Sequence, residues 1–406
     1  MISRQRLLIG LSQPHWLFAA LGAAVFIQFA LNRGGVEAAI WTAGAMLVAQ
    51  VFAGTYRPWQ LPNRDLVVVA IVALVLVSSW AVAPGASDVH RGLRLVRFLI
   101  VVLAVRQLAA MGLDRRLVLS MAAIACGIVA WQSTVRLAFG SAYGTFANPH
   151  YLAYFAALLL PALLLLARSL CSPLRYVVYL CALLDLWLIF NESTRPTIPL
   201  LSLTAAAAAV VWSTVGVRKR WLAAGTLAAL LCTLLVAPDA WLAGLGLAAP
   251  VQDERVRLWY DSWRLIAAGD LRTWLLGHGI GTFRGVLPSS TSPEFTGLTM
   301  PHNHVLALLY ENGVVIAAIA IGAIGAFFVQ ALRLPQRLTD ASSRALARAN
   351  LAATAIWLVF SFLAFDTYSR YTLYPLGYLL GIHLHLASRI ASEFPGMPDS
   401  PDATGR

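Results

Sequence analysis

The chain has 406 residues, of which 59% are hydrophobic and only 12% are charged, and its mean hydropathy is +0.73. A soluble domain of this length cannot hide so much apolar surface, so the composition excludes a soluble globular protein. It predicts an all-α, polytopic integral membrane protein. The formal net charge of +12 does not indicate a nucleic-acid partner, because no aromatic and basic RNA-binding pattern accompanies it.

Apolar runs recur along the whole chain between short charged connections. A hydrocarbon core of roughly 30 Å requires about 20 mostly apolar helical residues, and this length predicts about twelve transmembrane helices. The first span is expected to be retained, since no small-residue cleavage site stands out after it. The predicted spans are 15–32, 37–54, 65–84, 94–112, 117–139, 149–168, 173–191, 196–216, 220–238, 302–332, 346–365 and 371–389.

The basic residues predict the orientation of these spans. Lys and Arg in short connections stay on the cytoplasmic side, and more than half of the 30 lie there if the N-terminus is inside. Both termini are therefore predicted to be cytoplasmic. The chain divides into spans 1–9 (1–238), a large outer loop (239–301), spans 10–12 (302–391) and a disordered tail (392–406).

The loop 239–301, of roughly sixty residues, is far longer than the other connections, and long loops tend to carry function. It is predicted to contain an amphipathic helix rich in Trp and Tyr, which suits the membrane interface. The apolar positions at helical spacing are Val256, Trp259, Tyr260, Trp263 and Ile266, and the charged positions opposite are Arg257, Asp261 and Arg264.

Three spans are predicted to begin with a proline at the same, outer side of the membrane, at Asn148-Pro149, Arg195-Pro196 and Pro301-His302-Asn303-His304. Helix N-termini carry unpaired N–H groups and a partial positive charge, which favours an anionic ligand such as phosphate.

Outer arginines reinforce that preference, because a guanidinium grips phosphate oxygens with two parallel hydrogen bonds. Arg195 and Arg257 are the main candidates. The row Arg91, Arg94 and Arg97 is a further one, although a salt bridge with Asp88 or headgroup binding would serve as well. Other outer arginines are interpreted as bound to lipid headgroups, namely Arg33, Arg136 and Arg370.

His302 and His304 are the candidate general bases. A histidine in the first turn of a helix is kept neutral by the helix dipole, and a neutral imidazole can accept the proton of a hydroxyl. Glu311 lies on the same helix face about 10 Å further on and is expected to support the site without touching it. No carboxylate or cysteine stands at metal-ligand spacing beside the histidines, so no metal or other cofactor is predicted.

The glycines of Gly277-His278-Gly279-Ile280-Gly281 predict a tight loop. They do not predict a dinucleotide site, since no strand precedes them. The roles of His278 and His150 stay open at this stage.

Five of these motifs, in order, resemble the O-antigen ligase and polymerase superfamily of bacterial envelope glycosyltransferases. His150 stands where that family usually has asparagine, and Pro196 replaces a glycine. The matching stretches are Gly144-Thr145-Phe146-Ala147-Asn148-Pro149-His150-Tyr151-Leu152-Ala153, Glu192-Ser193-Thr194-Arg195, Arg257 with Trp263, Gly277-His278-Gly279-Ile280-Gly281-Thr282-Phe283, and His302-Asn303-His304 with Leu306, Glu311 and Gly313.

The resemblance implies transfer of a glycan from undecaprenyl pyrophosphate to a sugar hydroxyl of lipid A core. The reaction would occur at the periplasmic face of the bacterial inner membrane, in lipopolysaccharide biosynthesis, without metal or nucleotide sugar. Arg195 and Arg257 would grip the pyrophosphate, and His302, or failing that His304, would deprotonate the attacking hydroxyl with inversion of the sugar. Substrate contacts would come from Asn148, His150, Asn303, Glu311 and the row Arg91, Arg94 and Arg97.

Other activities stay open beside the ligase. An O-antigen polymerase would share these motifs and differ in its acceptor, and a protein O-glycosyltransferase is a third member of the same superfamily. A lipid-linked oligosaccharide flippase or transporter would also have many spans and internal arginines. Against transport, the sequence has no internal repeat and no helix broken midway through the membrane.

Overall fold

The structure is a computed structural model that describes residues 13–27, 35–56, 63–82, 88–139, 149–192, 197–214, 254–284, 286, 301–363 and 368–393. Every regular element within these ranges is a helix. The helices are α1 (Pro14–Phe26), α2 (Gly35–Phe52), α3 (Asn63–Val82), α4 (Val89–Ala110), α5 (Asp114–Phe139), α6 (Pro149–Ser169), α7 (Ser172–Glu192), α8 (Thr197–Thr214), α9 (Glu254–Ala267), α10 (Leu271–Leu276), α11 (His304–Arg337), α12 (Ala341–Leu363) and α13 (Arg370–Glu393).

The predicted all-α class is confirmed, and eleven of the predicted spans coincide with one of these helices. Seven helices in the described ranges are long and apolar enough to cross a membrane, namely α2, α3, α5, α6, α7, α11 and α12. α1 and α8 are apolar but shorter. Span 220–238, about half of the loop 239–301 and nearly all of the tail lie outside the described residues, so the count of twelve stays a prediction.

The helices pack as a bundle whose outer surface is apolar. α6 packs against α7, α4 against α13, and α8 against α12. Large apolar side chains on the lateral faces are exposed, for example Val77 on α3 and Leu183 on α7. Exposed apolar surface repeated over several helices is what a bilayer requires, because lipid and not water then covers it.

Helix α4 carries four arginines, and their side chains have partners inside the bundle. Arg106 forms an ion pair with Asp65 at the start of α3, and Arg97 lies 4.0 Å from Glu37 at the start of α2. Charged groups within a membrane bundle are costly unless they pair in this way. The ion pairs therefore fix α4 against α2 and α3.

Candidate functional site

The predicted amphipathic helix of the long loop is confirmed as α9. Its buried side consists of Leu258, Ser262 and Ile266, which recur every four residues. Leu258 and Ile266 pack with Phe283 of the following loop and with Ala307 and Tyr310 of α11. α9 is therefore anchored on the first turns of α11.

The aromatic side of α9 points away from this anchor. Tyr260 and Trp263 are 61% and 47% exposed, and the Arg264 guanidinium lies 5.9 Å from the Tyr260 ring centroid. Trp259, by contrast, is part-buried and donates its indole N–H to the carbonyl of Pro301, at 3.0 Å. One tryptophan thus ties α9 to the segment that precedes α11, and exposed aromatic rings remain available for the interface position that the sequence predicts.

The short helix α10 is held by a charged N-cap. The Asp270 carboxylate accepts hydrogen bonds from the backbone N–H and the hydroxyl of Thr273, each at 2.7 Å. These bonds stabilise the ionised form and lower the pKa of Asp270 from its ordinary value. α10 then ends at Gly277, whose positive φ of 78° turns the chain into the glycine loop.

The glycine loop, residues 277–283, packs into a break in α11. The N–H groups of His278 and Gly279 donate to the carbonyls of Tyr310 and Glu311, at 3.1 and 2.8 Å. α11 is interrupted at Gly313, where φ is +71°. A Cβ at Gly277 would lie 2.5 Å from the backbone nitrogen of Asn312, and a Cβ at Gly313 would lie 2.5 Å from the nitrogen of Gly277. The tight loop is confirmed, and its glycines serve a close backbone contact.

Aromatic rings cover this contact. The His278 ring stacks on the Tyr310 ring with 4.1 Å between centroids, and Phe283 stacks on Tyr310 at 4.3 Å. The Nδ1 atom of His278 also lies 3.1 Å from the carbonyl oxygen of Tyr310. His278, whose role the sequence left open, is therefore part of the packing between the loop and α11.

Glu311 connects the glycine loop to α4. Its Oε1 atom accepts from the guanidinium of Arg91 at 3.4 Å and from the N–H of Phe283 at 3.3 Å. Arg91 also lies 3.5 Å from Asp88, which caps α4 and donates its backbone N–H to the carbonyl of Ile280. We call Asp88, Arg91, Phe283 and Glu311 the glutamate lock. The side chains of Arg91 and Glu311 are only 4% and 1% exposed.

The arginine row of α4 does not form one array, since its three side chains reach different partners. Arg91 belongs to the glutamate lock, whereas Arg94 donates to the carbonyl of Tyr368 at 3.1 Å. Arg97 lies beside Glu37, with its guanidinium 5.5 Å from the Trp41 ring centroid. The salt bridge with Asp88, one of the sequence-based alternatives, is present.

Tyr368 links the row to α11. Its hydroxyl accepts a hydrogen bond from the side-chain amide of Asn312, the residue that follows Glu311. The break in α11 is thereby connected to the start of α13. The sequence does not predict a site role for Tyr368 or Phe283 individually. Their partners, Asn312 and Glu311, are distant in the sequence, and no local pattern indicates them.

The predicted start of the tenth span needs a correction. His302 was expected in the first helical turn, but α11 begins at His304 and Asn303 is its N-cap. The Asn303 side chain accepts from the N–H groups of Val305 and Leu306, which satisfies the first free donors of the helix. His302 therefore precedes the helix, and its φ of +49° lies in the left-handed region that a non-glycine residue rarely adopts.

The two candidate bases differ in accessibility. His304 is 4% exposed, with its ring edge-on to Trp357 at 5.9 Å and tilted against Phe362 at 6.1 Å. His302 is only partly buried. Backbone strain is a common feature of functional sites, and it distinguishes His302 from His304.

Several predicted site residues cannot be placed. Arg195 and Asn148 lie outside the described residues, as do the side chains of His150 and Arg257 within their helices. Pro149 is the first residue of α6, as predicted, and α8 begins at Thr197. Within the described ranges, no group of three or more His, Cys, Asp or Glu side chains is arranged to hold a metal ion.

Comparison with known proteins does not add a family. No model of a known protein family matches the chain, and no curated protein matches it. The described residues form an all-helical protein with helices long and apolar enough to span a membrane.

Proposed function

We propose that this protein is a membrane glycosyltransferase of the O-antigen ligase type. It transfers a glycan from undecaprenyl pyrophosphate to a sugar hydroxyl of lipid A core, at the periplasmic face of a bacterial inner membrane. The proposal includes twelve spans, both termini in the cytoplasm, and the loop 239–301 in the periplasm.

One observation carries the proposal: the segments that carry three of the five motifs of the resemblance, namely α9, the glycine loop and the start of α11, contact one another. The glycine loop contacts Glu311 and Gly313 of the last motif, and Trp259 of α9 hydrogen-bonds the residue before His302. Residues far apart in the sequence thus form one connected unit. A shared site requires such contacts.

The proposed reaction replaces one carbon–oxygen bond at the anomeric carbon with another. The acceptor hydroxyl oxygen attacks the anomeric carbon while the bond from that carbon to the pyrophosphate oxygen breaks, which inverts the sugar. His302 takes the hydroxyl proton, and its partial exposure and strained backbone favour it over the buried His304. Arg195 and Arg257 stabilise the negative charge that develops on the leaving pyrophosphate.

Purified protein in lipid nanodiscs, mixed with undecaprenyl pyrophosphate glycan and lipid A core, tests the proposal. We expect glycan to move onto the core, and we expect His302→Ala and Arg195→Ala each to abolish transfer. His90→Ala is the matched control, because His90 is an exposed histidine at the start of α4 and its backbone N–H, which alanine keeps, donates to the Asp88 carboxylate.

The outcomes separate the rival activities. Growth of the glycan on undecaprenyl would mean a polymerase, and movement of the lipid across vesicles without reaction would mean a flippase. Near-normal transfer by His302→Ala would remove the proposed base.

A further inference from the structure

Arg370 stands out among the outer arginines that the sequence assigns to lipid headgroups. It is the first residue of α13, and its guanidinium donates to the Tyr371 hydroxyl at 2.8 Å and lies 4.9 Å from that ring's centroid. The Tyr371 ring stacks on Tyr151 of α6, with 4.1 Å between centroids. We call Tyr151, Arg370 and Tyr371 the arginine–tyrosine cluster, and all three side chains are partly buried.

The cluster is next to the start of α11. The carbonyl of Thr372, which follows Tyr371, accepts a hydrogen bond from the Trp357 indole at 2.8 Å. The same indole ring meets His304 edge-on. One tryptophan therefore connects the first turn of α13 with the His302-Asn303-His304 segment.

The cluster is also next to the first motif of the resemblance. Tyr151 lies in the first turn of α6, directly after Pro149 and His150. The Tyr371 ring stacks on Tyr151, and the Phe155 ring is tilted against Tyr371 with 5.7 Å between centroids. These contacts fix the start of α13 against the start of α6. The first turn of α13, which carries Arg370, thus contacts the start of α6 directly and the start of α11 through Trp357, and the proposed function assigns the substrate to both of these segments.

The geometry of Arg370 differs from that of a snorkelling side chain. A snorkelling arginine extends its charge along the helix toward water and headgroups, whereas the guanidinium of Arg370 lies over the Tyr371 ring and donates to its hydroxyl, a bond that a tryptophan ring such as that beside Arg136 cannot offer. Stacking on an aromatic face pre-organises a guanidinium, so that less side-chain entropy is lost when it binds a planar or tetrahedral oxyanion.

We propose that Arg370 is a further substrate-contacting residue, which binds the pyrophosphate of the lipid-linked donor, with Tyr371 and Tyr151 holding its guanidinium in place. The inference rests on the proposed function. It extends the donor site from the arginines of the family motifs to the start of α13.

The test compares Arg370→Ala and Arg370→Lys with Arg136→Ala in nanodiscs. Arg136 is the matched control, since it is also partly buried and also lies over an aromatic ring, Trp187, at 5.9 Å. Two quantities are measured: binding of undecaprenyl pyrophosphate, and KM for donor and acceptor in the transfer assay.

We expect Arg370→Ala to weaken binding of undecaprenyl pyrophosphate about ten- to a hundredfold, the effect of losing hydrogen bonds to a charged group. The KM for donor should rise while the KM for acceptor stays the same. Arg370→Lys should be intermediate, because an ammonium keeps the charge and loses the bidentate geometry. Arg136→Ala should bind and react like the native protein.

Three results would overturn the inference. The first is native donor affinity in Arg370→Ala, and the second is an equal loss in Arg136→Ala, which would indicate general headgroup attraction. The third is a loss of donor affinity in Arg370→Ala that is equally large in Arg370→Lys, since it would indicate that Arg370 has a structural role. Absence of lipid binding and transfer by the native protein would instead reject the proposed function and this inference together, whereas native transfer with an unaffected Arg370→Ala would reject this inference alone.

Discussion

Removing the charge of Glu311 tests whether the glutamate lock holds the glycine loop in place. In Glu311→Gln the amide oxygen can still accept the bonds from Arg91 and Phe283, so packing is kept and only the negative charge is lost. Arg91 is 4% exposed, and Asp88 at 3.5 Å is then the acid beside it that still offsets its positive charge.

The size of the effect can be bounded from these contacts. Breaking a buried ion pair by removing one partner costs about 3–5 kcal/mol. The contacts of Glu311 at 3.3 and 3.4 Å are longer than optimal, and Asp88 remains beside Arg91. We therefore expect a loss of about 2 kcal/mol, below the range for a fully isolated charge.

Hydrogen exchange of the backbone amides in residues 277–284 is the suitable assay, because it reports the local opening of the glycine loop residue by residue. A loss of about 2 kcal/mol corresponds to roughly thirtyfold faster exchange of the Gly279 and Phe283 amides. Glu37→Gln is the control: Glu37 lies 4.0 Å from Arg97 and is 21% exposed, so its loss should be below about 1 kcal/mol.

A double mutant separates the ion pair from other effects. Arg91→Met combined with Glu311→Gln should be less destabilised than the sum of the two single variants, with a coupling of about 0.5–3 kcal/mol. The reasoning is refuted if Glu311→Gln leaves exchange of Gly279 and Phe283 within about twofold of native, or if Glu37→Gln accelerates it equally.

Two further predictions concern the same segment. Gly313→Ala should destabilise by about 2–4 kcal/mol, through a left-handed backbone and a clash with the glycine loop. Gly322→Ala in the same helix is the control and should be neutral or stabilising, because no atom lies within 4 Å of its added Cβ. Equal losses of thermal midpoint in Gly313→Ala and Gly322→Ala would contradict the prediction. For Asp270, the lowered pKa means that its stabilisation of α10 is present above the ordinary value of 3.8 and is lost as the pH falls through the lower folded value. Asp270→Asn should therefore flatten the acid limb of the thermal midpoint measured against pH, and an unchanged limb would count against the cap.

The helices could be predicted because the membrane imposes their length. A span must be apolar over about 20 residues, and this signal is local, so most predicted spans coincide with helices. α9 could be predicted for a similar reason, since its apolar positions recur at helical spacing. The exact face was harder to predict: Leu258 and Ser262 form the buried side, whereas Tyr260 and Trp263 are exposed.

The site could be predicted in its motifs but not in its contacts. α11 begins at His304 and not at His302, because Asn303 is its N-cap and asparagine is among the best N-cap residues. The pair Arg91 and Glu311 is separated by 220 residues. No local pattern indicates such a partner, and the close approach of Gly277 to Gly313 is visible only when both backbones are in place.

The pairing of the α4 arginines has a consequence for where an anion can bind. Arg91 lies between two carboxylates, those of Asp88 and Glu311, and Arg97 lies beside the carboxylate of Glu37. These acids already offset the charge of both arginines, so this part of the row adds little attraction for a pyrophosphate carrying several negative charges. We infer that α4 supports the site by fixing the glycine loop, and that the charge of the donor is met by arginines on other elements, which in our proposal are Arg195, Arg257 and Arg370.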